Sequence, residues 1–372
     1  MKKNLQLALA LVLGIATTAS AQDWSVDSRS RVDMSGDNSQ FLTDQQIRVG
    51  TSFGGDNWGV NVSTDVNYRL RDGSNNVETG LSTTLHEAYA STNLMGYTTL
   101  TVGRQALEFG DGAIVGANNW GKRAQTRDGF TAGFEMNDVN LMVIGGTLNT
   151  GFEETSPMYV EASYFGANAT GTMSNVSFDV TYVSQSSDVF GEAKENTALG
   201  VNAMMETMGA AITVSYNSVD GTGAEGDNTM MMAHVSYPVS DDLTLHGSVT
   251  QYGDDGFDLA GSNTGSNLDG ANSWLSHGNM GFLEAKDQDL SIGGSYAMGD
   301  FSIGASMHMI SSTNEAFIMA DGSDWERNVT ELNFGYSIND NSSFSIKYAT
   351  DDNRLNTETE ETFMWATLKI GM

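Results

Sequence analysis

Residues 58–71 read WGVNVSTDVNYRLR and alternate without a break. Trp58, Val60, Val62, Thr64, Val66, Tyr68 and Leu70 share one face, while Gly59, Asn61, Ser63, Asp65, Asn67, Arg69 and Arg71 share the other. Period-two spacing places these sets on opposite sides of a sheet. An ordinary strand runs for about 5–6 residues. This one holds its pattern for 14, beyond the roughly 9–11 that a tilted strand needs to cross a bilayer. A wall with apolar residues on one side and charges on the other suits lipid outside and water inside, because a sandwich would need an apolar inner face.

The pattern recurs along the chain. FLTDQQIRVGTSF sets Phe41, Thr43, Ile47, Val49 and Phe53 outward against Asp44, Gln46 and Arg48. VSFDVTYVS sets Val176, Phe178, Val180 and Tyr182 against Ser177, Asp179 and Thr181. DLSIGGSYAM and SFSIKYA repeat the division, with Tyr296, Phe344 and Tyr348 outward and Ser291, Ser345 and Lys347 inward. Trp58, Tyr68, Phe130, Tyr182, Tyr296, Phe344 and Tyr348 are candidates for an aromatic girdle. The 42 glycines and 2 prolines, with Thr, Ser, Val and Tyr abundant, fit an all-β chain.

Short turns are predicted at 54–57, 93–97, 136–139, 171–175, 206–210, 238–242, 297–300 and 338–342. Longer polar loops fall between them, among them 72–83, 109–127, 253–285 and 350–361. Short turns alternating with long loops are the rhythm of outer-membrane barrels, the short side periplasmic. Eight turns and nine loops connect about 18 strands, with 16 as the alternative count. The expectation is one transmembrane antiparallel β-barrel over 22–372, with a loop near 109–127 folding inward. Residues 1–21, MKKNLQLALALVLGIATTASA, carry two lysines, an apolar run and small residues at Ala19 and Ala21, the plan of a secretory signal peptide cleaved after Ala21.

Charge excludes some partners. The net charge is −30, and removing Lys2 and Lys3 makes it −32 (−30 − 2), so nucleic acid is not an expected partner. Cysteine is absent, so no disulfide framework is expected. No Gly-x-Ser-x-Gly or His-Glu-x-x-His motif occurs, and His86, His234, His246, His277 and His308 are scattered singly, so the chain reads as a non-enzyme without a cofactor. The acidic outer loops lack the spacing of a dedicated calcium site. The expected surroundings are the lipid and lipopolysaccharide of a Gram-negative outer membrane.

The basic residues are unevenly spread. Arg29, Arg31, Arg48, Arg69 and Arg71 fall on the polar faces of three neighbouring strands, and only Lys194 and Lys286 lie between 128 and 326. Arginine forks grip carboxylates, and a ladder of them lowers the barrier to an anion. Asp27, Asp33, Asp44 and Asp65 share these faces, so cross-strand pairing into a neutral wall is the competing role. Arg104 would follow Leu100 and Val102 toward lipid unless a bulge near Gly103 turns it inward or it sits at the outer rim. The first alternative adds Arg104 to the pore lining. Asp111, Trp120, Lys122, Arg123 and Arg127 belong to the candidate constriction loop. Asp111 is expected to hold that loop against the arginine-bearing strands.

Gly103-Arg104-Gln105, then Phe109, Gly110-Asp111, Gly116, Trp120 and Arg127-Asp128-Gly129, preceded by His86-Glu87-Ala88-Tyr89, resemble the signature of the alginate-export family of outer-membrane barrels. The resemblance spans 86–130 and implies an 18-stranded monomeric barrel with a charged pore for acidic oligosaccharides. Gly112 and Ala113 stand where that family tends to carry a basic residue. The leading expectation is a passive channel for polar or anionic solutes. The alternatives are a general diffusion porin and a non-conducting structural or adhesion barrel, plugged by 253–285.

Overall fold

The structure is a computed structural model and describes residues 22–35, 42–70, 81–117, 125–147, 161–189, 192–221, 226–257, 285–313, 325–352 and 361–371. The predicted signal peptide lies outside them, as do Arg71, Trp120, Lys122, Arg123 and His277. Most of the loop expected to plug the pore, residues 258–284, lies outside them too.

Eighteen antiparallel strands form one sheet, and its last strand pairs with its first. In chain order they are β1 (Gln22–Asp33), β2 (Leu42–Gly55), β3 (Trp58–Leu70), β4 (Ser82–Leu94), β5 (Thr98–Gln105), β6 (Arg127–Met136), β7 (Val139–Thr147), β8 (Glu161–Met173) and β9 (Val176–Val189). The second half comprises β10 (Glu192–Thr207), β11 (Ala210–Gly221), β12 (Thr229–Pro238), β13 (Leu243–Tyr252), β14 (Asp287–Met298), β15 (Phe301–Ser312), β16 (Trp325–Asn339), β17 (Ser342–Asp351) and β18 (Glu361–Gly371). Closure leaves no sheet edge, which is what lets strands stand in lipid with their backbone groups paired.

All eight predicted short turns occur where expected. The β10–β11 turn is two residues long, with φ +51° at Met208 and +80° at Gly209. Positive φ at both central positions matches the right-handed twist of the flanking strands. A left-handed backbone costs a residue with a Cβ about 1–2 kcal/mol, and asparagine least among them. Met208 is 96% exposed, so its side chain contributes little in return. Met208→Asn is expected to stabilise the barrel by about 0.5–1 kcal/mol. Urea unfolding in detergent measures it, and a lower midpoint would count against the turn geometry.

Alternation holds around the ring. Val60, Val102, Phe165, Tyr182, Leu245, Ile292, Ile303 and Leu332 are exposed on the outer face. The girdle candidates Trp58, Tyr182 and Tyr296 are exposed there too. The register breaks in β4, where Ser63 faces Glu87 while the next residue, Thr64, faces Leu85. His86 is the extra residue of this bulge, which turns Glu87 into the lumen. A second irregularity lies between Ser337 and Asn339 beside the β16–β17 turn.

Candidate functional site

The third outer loop, L3 (106–126), connects β5 to β6, and its described residues 106–117 do not stay at the rim. Gly110 N–H donates to Asp179 Oδ2 at 3.0 Å, and Asp179 is the fourth residue of β9 counted from its short turn. Asp111 Oδ1 accepts from Ala113 N at 3.0 Å and Oδ2 from Asn217 Nδ2 of β11 at 2.8 Å. L3 thus reaches down into the barrel and lands on β9–β11. The landing is apolar as well as polar. Phe109, Ile114 and Val115 join a buried cluster with Ile144, Tyr164, Val183, Ala198 and Val219, all inward-facing wall residues. Gly110 has φ +58°, the left-handed region that glycine adopts without cost, and a Cβ there would have to displace the Asn202 amide, 2.1 Å away. Ala106 N–H donates to Glu87 Oε1 at 3.0 Å, so the β4 bulge supplies the acceptor on which the loop begins.

Asp111 does not meet the arginine-bearing strands, contrary to expectation. β10 and β1 stand nine strands apart in the ring, and the loop takes the β10 side. Burial raises the Asp111 carboxyl above the usual carboxylate range, against the hydrogen bonds from Ala113, Asn217 and Ser215 that lower it.

The root of L3 lies beside a row of glycines in the wall. Gly103, Gly129 and Gly146 stand in register across β5, β6 and β7, with Tyr89 at one end of the row and Tyr164 at the other. A Cβ at Gly103 would meet Ala88 O at 2.2 Å, and one at Gly129 would meet Gly145 O at 2.1 Å.

Gly103 has φ +130°, yet the pairing of β5 with both neighbours runs through it without a shift. Arg104 therefore stays on the outer face with Val102, and its pore-lining assignment is corrected. It lies opposite Asp128 and grips it through Nε at 2.7 Å and Nη2 at 2.6 Å. This bidentate pair removes a net charge from the lipid-facing rim.

Across the lumen, seven inward cations line six adjacent strands: Arg327 on β16, Lys347 on β17, Lys369 on β18, Arg29 and Arg31 on β1, Arg48 on β2 and Arg69 on β3. Arg48 holds Asp65 at 2.7 and 3.0 Å, and Arg69 holds Asp44 at 3.0 Å. Lys347 meets Glu331 at 2.9 Å, and Arg327 holds Asp351 through two bonds of 2.9 and 2.5 Å. Wall pairing is thus present at these four. Arg29 stands in register between Gln46 and Lys369, cation beside cation. A concavity of about 590 Å³ near the short-turn end is lined by Arg29, Arg48 and Lys369 together with Asp27, Gln46 and Asp340. Sequence reasoning placed the arginines of β1–β3 on the inner wall. It did not join Arg327, Lys347 and Lys369 to them, because these become neighbours of β1 only on closure; the even strand count was the available signal.

A closed wall with an apolar outer face and a charged inner face, narrowed by an inward loop, defines a channel of the outer-membrane barrel class. The chain belongs to the Gram-negative porin family, whose model matches residues 8–357. It is a non-enzymatic channel of the outer membrane. Similar solved structures include OccAB2 of Acinetobacter baumannii (14% identity, TM-score 0.70, 95% of this chain and 98% of that one). OpdK of Pseudomonas aeruginosa, solved with vanillate, is 12% identical with a TM-score of 0.71 (95% and 99% covered). OccK5 (OpdH) of Pseudomonas aeruginosa is 10% identical with a TM-score of 0.67 (95% and 99% covered). At these identities the likeness is one of fold. No curated protein matches the chain. These findings overturn the alginate-export resemblance: the family is a different one, and what 86–130 encodes is an inward-folding third loop with its glycine-lined root.

Proposed function

We propose that the channel passes small polar solutes and favours anionic ones, carboxylates among them, along the β16–β3 arc. The observation that carries this reading is the gathering of inward cations on six adjacent strands, with Arg29 and Lys369 in register side by side and both lining one concavity. Fixed charge at a narrow lumen sets the barrier for a permeant ion. OpdK, of the same fold, was solved with vanillate, itself a carboxylate. A general diffusion porin is the second reading, favoured by the pairing of Arg48 with Asp65 and of Arg69 with Asp44.

Reversal potentials in a potassium chloride gradient separate the two. Arg29→Gln with Lys369→Gln is expected to lower the chloride-to-potassium permeability ratio about three- to tenfold, the equivalent of roughly 0.6–1.4 kcal/mol. Arg48→Gln with Asp65→Asn removes a neutral pair and should change it little. Equal and small effects from both double variants would favour the general porin.

A further inference from the structure

Arg127 stands apart from the basic arc. It closes L3, opposite Gln105 of β5, and faces inward. The residue is 5% exposed. Its guanidinium carbon lies 5.9 Å from the centre of the Tyr164 ring. Its Nε and Nη2 are buried and make no hydrogen bond. Gln185, directly opposite Tyr164 on β9, is 4% exposed, and its Nε2 is also buried and unpaired.

A buried guanidinium ordinarily comes with a counter-charge, because desolvating a lone cation is costly. The chain has 47 acidic residues, yet the described carboxylates around L3 are engaged elsewhere. Asp128 faces outward and holds Arg104, Asp111 is held by Ala113 and Asn217, and Glu87 takes Ala106. A cation–π contact compensates only part of a desolvated charge.

We infer that Arg127 and Gln185 form a binding site for one small inorganic anion, of chloride size, which ties the root of L3 to the barrel wall. Nε and Nη2 lie on one edge of the guanidinium, the edge that presents two parallel N–H groups to an anion. Gln185 Nε2 adds a donor from β9. The burial of both residues favours a small ion over a larger solute. This site is separate from the open arc along which solutes are proposed to pass. The competing account is a water bridging Arg127 to Gln125 Oε1, an unpaired acceptor two residues earlier.

Bromide-soaked crystals and thermal melts in detergent test the assignment. The melts compare chloride with gluconate at constant ionic strength. An anomalous bromide peak in hydrogen-bonding reach of Arg127 is expected. A rise in melting temperature with chloride is also expected, lost in Arg127→Gln and reduced in Gln185→Leu. Absence of the peak overturns the site and leaves the bridging water. A peak with melting indifferent to chloride means an adventitious ion only and also overturns it. Should Arg127→Gln fail to fold, the wild-type bromide map and the Gln185→Leu melts decide.

Discussion

A channel lacking residues 112–117 is expected to carry several times the current of the parent protein while its barrel remains folded. The segment holds Ile114, 2% exposed, and Val115, fully buried, both packed on the inner wall. Burying such side chains contributes about 1.5–3 kcal/mol each, enough to hold a loop that Asp111 and Gly110 also latch. Two point variants test the same contact from opposite sides. Ile114→Asp places a charge in the apolar cluster. Gly200→Leu acts from the wall, where even a Cβ would fall 2.9 Å from Ile114 Cδ1. Both should raise conductance and its noise. Acid should not mimic them. The raised Asp111 pKa means the docked loop binds its proton more tightly than the free loop, so this latch strengthens as pH falls and weakens as pH rises through the raised value. Unchanged current in the deletion would show that the constriction lies elsewhere.

The second large effect concerns stability. Arg327 and Asp351 are 3% and 0% exposed and joined by two hydrogen bonds. Removing Asp351 takes both of these bonds from the buried guanidinium, at a cost of about 3–5 kcal/mol. Asp351→Ala should lower the unfolding midpoint accordingly. Replacing both by apolar residues, Arg327→Met with Asp351→Leu, should recover most of the loss, because no buried charge remains. A double variant as unstable as the single would indicate that the carboxylate has a further role in the wall.

The eight turns and the alternation were legible because each is local: a strand's period and a two-residue turn need no knowledge of distant residues. The landing place of L3 was not. Asp111 was assigned to the arginines on charge alone, whereas Ile114 and Val115, two adjacent apolar residues in a polar loop, point to an apolar platform. Arg104 was assigned inward by granting Gly103 a bulge. A glycine at positive φ can stay in register, and the real bulge, at His86, carries no glycine to announce it. The Arg48–Asp65 and Arg69–Asp44 pairs were readable as one of two roles, since residues facing each other across strands follow from register. Register alone leaves open which of these arginines also stand beside another cation.

L3 is fastened to β9–β11, and the cations gather on β16–β3. Asp111 and Asp179 thus lie on one side of the bore, and the arginine–lysine arc, four of its cations paired with carboxylates, lies on the other. On the proposed reading, the charge of the arc acts on a solute transverse to the direction of transport. If the arc favours anions as proposed, a solute entering such a slot is turned before it is passed, its negative end drawn to the arc and its positive or neutral end left toward the loop. On that reading the channel would sort by dipole as well as by net charge, and two isomers of equal size and charge that differ only in where the carboxylate sits should cross at different rates.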